Sequence, residues 1–298
     1  MKEEEPLVSV IIPTFNSARF LEQCITSIRK QTHWRLEVIV VDDGSTDSTL
    51  EIAERYGCNV VKNPKRGRAE AKNEGAKHST GKYLLFVDSD MELTRNVVSK
   101  CVELADDNPS IGGIVIPEHS IGDSFWTRVR DFERGFYAGS IVESARFFPA
   151  KLAVEVGGFE EDLEFFEEST LPYKIQKKGY NVFTRVKSPI FHHEENFQLL
   201  QWLKKKFRYG KTLHSYKREY SDYSKMQIGV WFRLSLFVKD RERFWSKPTL
   251  ALSTILLKSL EYFATVLGFA YSKLRLQEIA FAPSTSSSRV AAYVETDE

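Results

Sequence analysis

Tyr83-Leu84-Leu85-Phe86-Val87-Asp88-Ser89-Asp90 decides the fold. Its five apolar residues run straight into two carboxylates, the pattern of a buried strand that delivers charged groups at its carboxyl end. Upstream, Leu7-Val8-Ser9-Val10-Ile11-Ile12 is a similar run that ends at Pro13, and Asn16-Ser17 offers a helix cap before Phe20, Leu21, Cys24, Ile25 and Ile28. That spacing is helical. Leu36 to Val41 is predicted as a strand, Asp47 to Tyr56 as a helix, Cys58 to Val61 as a strand and Ala69 to Ser79 as a helix. Strands alternating with helices of this length give an α/β domain with a mostly parallel central sheet and helices on both faces.

Ligands of such sheets bind beyond the carboxyl ends of the strands. The polar clusters of the first half fall there: Thr14-Phe15-Asn16, Asp42-Asp43-Gly44-Ser45 and Asp88-Ser89-Asp90. Downstream, a helix is expected near Val97–Ala105, a strand at Ile111–Ile116, a turn at Gly157-Gly158-Phe159, a helix from Glu168 to Lys178 closed by Gly179, and a strand from Asn181 to Arg185. Glu118 to Phe148 is polar and aromatic, with no regular element assigned.

Composition excludes wholesale disorder: 42% of the 298 residues are hydrophobic and 28% charged. Cys24, Cys58 and Cys101 lie too far apart for a metal or redox motif and read as free thiols in a reducing compartment. The Met-Lys-Glu-Glu-Glu-Pro start lacks the form of a signal peptide, so a cytoplasmic location is expected. The net charge of +1 hides an asymmetry, because residues 197–275 hold 16 basic against 5 acidic residues. That surface suits an anionic partner.

Two carboxylates in Asp-x-Asp at a strand end are hard oxygen ligands for Mg²⁺ or Mn²⁺, which can share a diphosphate with them. Such an ion neutralises the charge on a departing diphosphate. In order and spacing, Val8-Ser9-Val10-Ile11-Ile12-Pro13-Thr14-Phe15-Asn16, Val40-Val41-Asp42-Asp43-Gly44-Ser45-Thr46-Asp47, Lys72-Asn73-Glu74-Gly75-Ala76 and Phe86-Val87-Asp88-Ser89-Asp90 resemble the family-two inverting glycosyltransferases. The resemblance covers roughly residues 7 to 195 and implies a GT-A fold, a single Rossmann-like domain.

It also implies a nucleoside-diphosphate sugar, UDP- or GDP-linked, as donor, and hexosyl transfer by single displacement. Pro13, Thr14, Phe15, Asn16 and Asp43 would surround the nucleoside, Asp88 with Ser89 the donor ribose or sugar, and Asp90, with Asp88 beside it, the metal. Lys72 stands where many relatives have Arg, which keeps a charge and loses the bidentate fork. Val156-Gly157-Gly158-Phe159 to Phe166-Glu167-Glu168 continues the resemblance, with Glu-Glu where relatives have Glu-Asp. Glu168 would be the general base, with Glu167 its competitor, and a helix N-terminus would keep it ionised. In Ile190-Phe191-His192-His193, His192 would complete the metal or diphosphate site, with His193 its competitor.

Three parts are expected: a catalytic domain over 1–196, a basic amphipathic helical region over 197–281, and a flexible tail over 282–298. Trp202, Phe207, Tyr209 and Tyr216 interleave with Lys204, Lys205, Lys206, Arg208 and Lys211, as in a helix lying on anionic lipid. Leu250 to Tyr271 is apolar but interrupted by Lys258 and Glu261, which argues for a helical hairpin or an interfacial helix over a spanning one. The corresponding partners are a glycan or polyprenyl-phosphate-linked acceptor and peripheral contact at the cytoplasmic face of a membrane. The plainer alternative is packing on the catalytic domain or a homodimer through these helices. A nucleotide-sugar-binding regulatory module without turnover is the rival function, and no nucleic acid is expected because nothing in the first half supports one.

Overall fold

The computed structural model describes residues 5–63, 67–163, 166–195 and 197–281, so the tail expected over 282–298 lies outside the described residues. The chain begins β1 (Val8–Thr14), α1 (Ala18–Arg29), β2 (Leu36–Asp42), α2 (Thr49–Arg55), β3 (Asn59–Lys62), α3 (Arg68–Lys77) and β4 (Tyr83–Phe86). It continues with β5 (Met91–Leu93), α4 (Val97–Asp107), β6 (Ile114–Val115), β7 (Glu118–Ile121), α5 (Phe125–Phe136), β8 (Ala145–Pro149) and α6 (Ala150–Glu155). Next come α7 (Glu167–Lys177), β9 (Thr184–Arg185) and β10 (Ile190–His193). Helices α8 (Leu199–Glu219), α9 (Ser221–Ile228), α10 (Val230–Lys239), α11 (Arg241–Ser246) and α12 (Pro248–Phe281) follow.

The main sheet has the order β3-β2-β1-β4-β8-β6-β9. Strands β1 to β4 pair in parallel, and β8 runs antiparallel to both of its neighbours. The expected mostly parallel sheet is therefore present. Its two faces bury separate apolar layers, one of Val8, Val10 and Ile12 against Leu21, Ile25 and Ile28, the other of Ile11, Ile39 and Leu84 against Leu171 and Ile175. Alternating residues of one strand serve opposite layers. A smaller sheet, β5-β10-β7, stands beside it and carries His192 and His193.

The stretch from Glu118 to Phe148 holds more order than its composition suggested. Phe125, Val129, Phe132 and Phe136 repeat at helical spacing in α5, and the Ser124 side chain caps it by accepting from the Thr127 N–H at 3.0 Å. The hairpin expected between Leu250 and Tyr271 is absent. That segment is one continuous helix of 34 residues, α12, long and apolar enough over Pro248–Leu274 to cross a membrane by length and composition. Lys258 and Glu261 do not break it because they point at the protein: Lys258 Nζ lies 2.5 Å from Glu133 and 2.6 Å from Glu261, and Glu261 accepts from the Trp202 indole at 2.6 Å.

Helix α12 crosses α8 at two glycines. A Cβ on Gly268 would sit 2.0 Å from the Phe207 carbonyl oxygen, and one on Gly210 would sit 2.1 Å from that of Thr265. Larger residues would force the helices apart.

Candidate active site

The β1 and β2 ends build one wall. Asp42 is buried and accepts from the Gly44 and Ser45 N–H groups at 3.1 Å, so it shapes the turn. Asp43 is left facing outward at the rim, 3.4 Å from Asn63 Nδ2 and the Gly67 N–H. Asn16 adopts a left-handed conformation and braces the same turn, its Oδ1 accepting from the Thr46 N–H at 2.9 Å. Thr14 lies beneath the surface with its hydroxyl donated to the Val41 carbonyl, and Pro13 is partly covered beside it. Phe15 projects with 57% of its surface exposed, a free aromatic face at the sheet edge. The start of α1 is capped from outside: the Ser17 N–H donates to Thr49 Oγ1 and the Ala18 N–H to Asp47.

Asp88 and Asp90 share a motif but have different partners. Arg146 Nη2 lies 3.3 Å from Asp88 Oδ2 and 2.6 Å from Glu118 Oε1. Glu118 also pairs with Arg134, whose Nη2 lies 3.1 Å from His192 Nδ1, and His192 Nε2 lies 3.2 Å from Asp90 Oδ2. A chain of polar contacts thus runs Asp88, Arg146, Glu118, Arg134, His192, Asp90 and closes on the motif where it began. Burial alone would raise the Asp88 carboxyl, but Arg146 first, then Lys72 and Arg68, hold it well below the usual carboxylate range. Burial likewise opposes ionisation of Glu118, and Arg146 and Arg134 override it to about 2. Ser89 does not face this ring: its hydroxyl donates to Ser17 Oγ at 2.8 Å.

Geometry separates the two histidines. His192 turns to Asp90, while His193, on the other face of β10, stacks on Phe20 with centroids 5.2 Å apart. An arginine can only donate, so Arg134 makes His192 Nδ1 an acceptor and places the proton on Nε2, toward Asp90. In this arrangement Asp90, with its side chain 39% exposed and no arginine partner among the described residues, is the carboxylate more open to a cation. Among the described residues no group of three or more His, Cys, Asp or Glu side chains is placed to hold a metal. Asp90 therefore fits a hard divalent ion that draws its other ligands from water and phosphate oxygens. His192 fits as its second protein ligand only after Arg134 releases Nδ1.

Lys72 is no solvated helix residue. It is buried, 3.6 Å from Glu167 Oε1 and over the Phe159 ring at 5.1 Å. Arg68 reaches the same Glu167 oxygen at 3.5 Å, so two cations hold Glu167. Glu168 makes no ion pair among the described residues and lines the cavity with water access. Enclosure by the cavity walls and the adjacent Glu167 raise its carboxyl above the usual range, against the pull of Lys72, Arg146 and Arg68. The expectation that the helix N-terminus would dominate is reversed, because a neighbouring negative charge and desolvation outweigh a terminal dipole.

Arg68, Lys72, Asp88, Glu118, Arg146, Glu168 and His192 line one cavity of about 340 Å³, whereas Asp90, Asp43 and Phe15 lie outside its lining. Its far wall comes from the C-terminal helices, which supply Trp202, Lys205, Lys206 and Tyr209 of α8, Arg233 of α10, and Lys258 and Tyr262 of α12. The basic residues of α8 therefore do not all face outward. Lys206 is enclosed beside Trp202, and burial lowers its ammonium to about 8. Sequence reasoning missed Arg134, Arg146 and Glu118. The helical spacing in α5 could have found Arg134; no local pattern marks the other two.

The family model for glycosyl transferase family 2 matches residues 9–159. Among curated relatives, glycosyltransferase GlyG of Streptococcus pneumoniae is 37% identical over 98 residues, 31% of this chain and 33% of that protein. Putative glycosyltransferase EpsH of Bacillus subtilis is 24% identical over 243 residues, 71% of this chain and 68% of that protein. The chain spans about a third of the length of several relatives it matches, GlyG among them. Two solved structures share the fold. Mannosyltransferase PcManGT from Pyrobaculum calidifontis, in complex with GDP-Man and Mn²⁺, has a TM-score of 0.56 at 21% identity, over 98% of this chain and 80% of that one. S. aureus TarS 1-349, in complex with UDP-GlcNAc, has a TM-score of 0.54 at 16% identity, over 92% and 91%.

Proposed function

We propose that this chain, which belongs to glycosyl transferase family 2, is a glycosyltransferase that moves a sugar from a UDP- or GDP-linked donor to an acceptor hydroxyl with inversion at the anomeric carbon. The observation that carries the reading is the Glu168 carboxylate, without an ion pair among the described residues, in the same cavity as Asp88, Arg146, Glu118, Arg134 and His192. Phe15 and Asp43 at the rim would take the nucleoside, one covering the base and the other accepting from a ring N–H. Asp88, fixed by Arg146, would orient donor hydroxyls. Lys72 and Arg68 would offset the diphosphate charge while they hold Glu167 in place.

Asp90, with His192 once Arg134 turns aside, would hold Mn²⁺ or Mg²⁺. When bound there, the ion supplies positive charge to the leaving diphosphate. Glu168 would take the proton from the acceptor hydroxyl as its oxygen bonds to the anomeric carbon and the bond to the diphosphate breaks. A raised carboxyl is a stronger base for this step. The three free thiols support a reducing, cytoplasmic setting, and the apolar outer face of α12 supports a position at the cytoplasmic face of a membrane.

Release of nucleoside diphosphate from UDP- and GDP-sugars, with and without Mn²⁺, tests the reading. Glu168→Gln should lower turnover by about 10²–10⁴-fold while nucleotide binding persists. Unchanged turnover in that variant overturns the base assignment. Nucleotide binding without any sugar release from the wild type would favour the regulatory module instead.

A further inference from the structure

The outer side of the C-terminal helices carries a second cavity, of about 790 Å³, between α10, α11 and α12. Trp231, Leu234, Val238, Trp245 and Ile255 line it, and three of these are largely open to solvent: Trp231 at 85%, Val238 at 73% and Trp245 at 72%. Leu252 and Leu256 extend the apolar surface along α12. Exposed Lys239, Arg241 and Lys247 stand at the α10–α11 end. Exposed tryptophans beside basic residues are the composition of a surface that meets lipid at the headgroup level.

The inner end of the groove backs onto the catalytic cavity. Arg233, Lys258 and Tyr262 line both it and the catalytic cavity. Of the two cations, Lys258 is neutralised by Glu133 and Glu261. Arg233 is not. Its Nε donates to the Gln227 carbonyl at 2.9 Å and its guanidinium lies 4.9 Å over the Tyr137 ring, with no carboxylate within ion-pair distance among the described residues. Glu133 attracts Arg233 from beyond ion-pair distance but is already paired to Lys258, and a largely enclosed guanidinium so placed between an apolar groove and a polar cavity is a recognition group for phosphate.

We infer that the groove holds the hydrocarbon chain of a membrane lipid phosphate whose phosphate meets Arg233 and whose hydroxyl-bearing head extends into the catalytic cavity toward Glu168. The inference rests on the reading of that cavity as the transfer site and names the acceptor class it serves. Arg233 selects the phosphate, and Trp231 and Trp245 seat the protein on the bilayer so that the acceptor enters from the lipid side.

The test is co-sedimentation of the full chain with phosphatidylcholine vesicles containing either hexadecyl phosphate or hexadecanol. Wild-type protein should prefer the phosphate vesicles. A Trp231→Ser/Trp245→Ser variant, altered only at exposed positions, should bind both kinds at least about tenfold more weakly. Arg233→Gln should erase the preference for phosphate, and Arg233→Lys, which keeps the charge if the glutamine variant does not fold, should retain part of it. Equal binding to the two vesicles, full binding by the double tryptophan variant, or a full preference in Arg233→Gln would overturn the inference. Thermal stabilisation by UDP or GDP with Mn²⁺, measured on the wild type and the tryptophan variant, separates the two readings. Its survival alongside absent lipid binding removes this inference alone; its absence removes the donor site itself.

Discussion

Helices α1 and α12 have opposite orientations toward the protein. In α1, Leu21, Cys24, Ile25 and Ile28 are buried in the sheet layer and Arg19, Glu22 and Gln23 face solvent. In α12, Ala251, Thr254, Leu257, Glu261 and Gly268 face inward, while Leu252, Leu256, Phe263, Val266 and Leu274 face outward. The difference lies in what each helix covers. Behind α1 is an apolar layer; behind α12 are Glu133, Trp202 and Lys206 at the wall of a charged cavity, and a helix that closes such a cavity must turn polar and small residues toward it.

The contrast can be broken first at the inner face of α12. Lys258→Met leaves Glu133 and Glu261 without their shared cation, and should lower unfolding free energy by about 3–5 kcal/mol in denaturant titration. The matched test compares the helices directly: Ile25→Ala in α1 should cost about 2–4 kcal/mol, and Phe263→Ala in α12 should stay within about 0.5 kcal/mol in lipid-free buffer. Similar costs at the two sites would show that the outward face of α12 is covered in solution.

The strand-end ring gives an electrostatic counterpart. Glu118 is depressed to about 2 in the folded chain, against about 4.3 for a free glutamate. Its contribution to stability is therefore fully present above about pH 5 and lost as pH falls toward 2, a difference of about 3 kcal/mol. Urea titrations across that window should lose this slope in Glu118→Gln. Glu168 runs the other way for activity. Its raised carboxyl should move the acid limb of turnover to higher pH than an ordinary carboxylate gives, and a limb at the usual carboxylate position would remove it as the base. At the α8–α12 crossing, Gly268→Ala should cost about 1–3 kcal/mol through the contact with the Phe207 carbonyl.

The sheet was legible because its strands are continuous apolar runs and its polar clusters all stop at one edge, a pattern that needs no tertiary knowledge. The site was legible only in part. Asp43, Asp88, Asp90, Lys72, Glu167, Glu168 and His192 lie in or beside ordered motifs, and the structure brings Lys72, Asp88, Glu167, Glu168 and His192 to one cavity. Arg134 and Arg146 were hidden in a stretch whose apolar spacing was overlooked or is too short to read, so the ring that fixes Asp88 and the tautomer of His192 stayed invisible.

Sequence by itself determined the alternation of strands and helices, the placement of the carboxylates at strand ends and the basic character of the C-terminal third, because periodicity and composition are properties of the chain. Tertiary structure alone decided which of the paired residues is engaged by a neighbour and which stands open. Arg68 and Lys72 hold Glu167 and leave Glu168 without an ion pair among the described residues, Arg146 holds Asp88 and leaves Asp90 more open, and the pleat of β10 sends His192 and His193 to opposite faces. It also decided that Lys258 and Glu261 point inward. Each of these is a question of which charge lies within a few ångströms of which, and partners distant in sequence supply the answer.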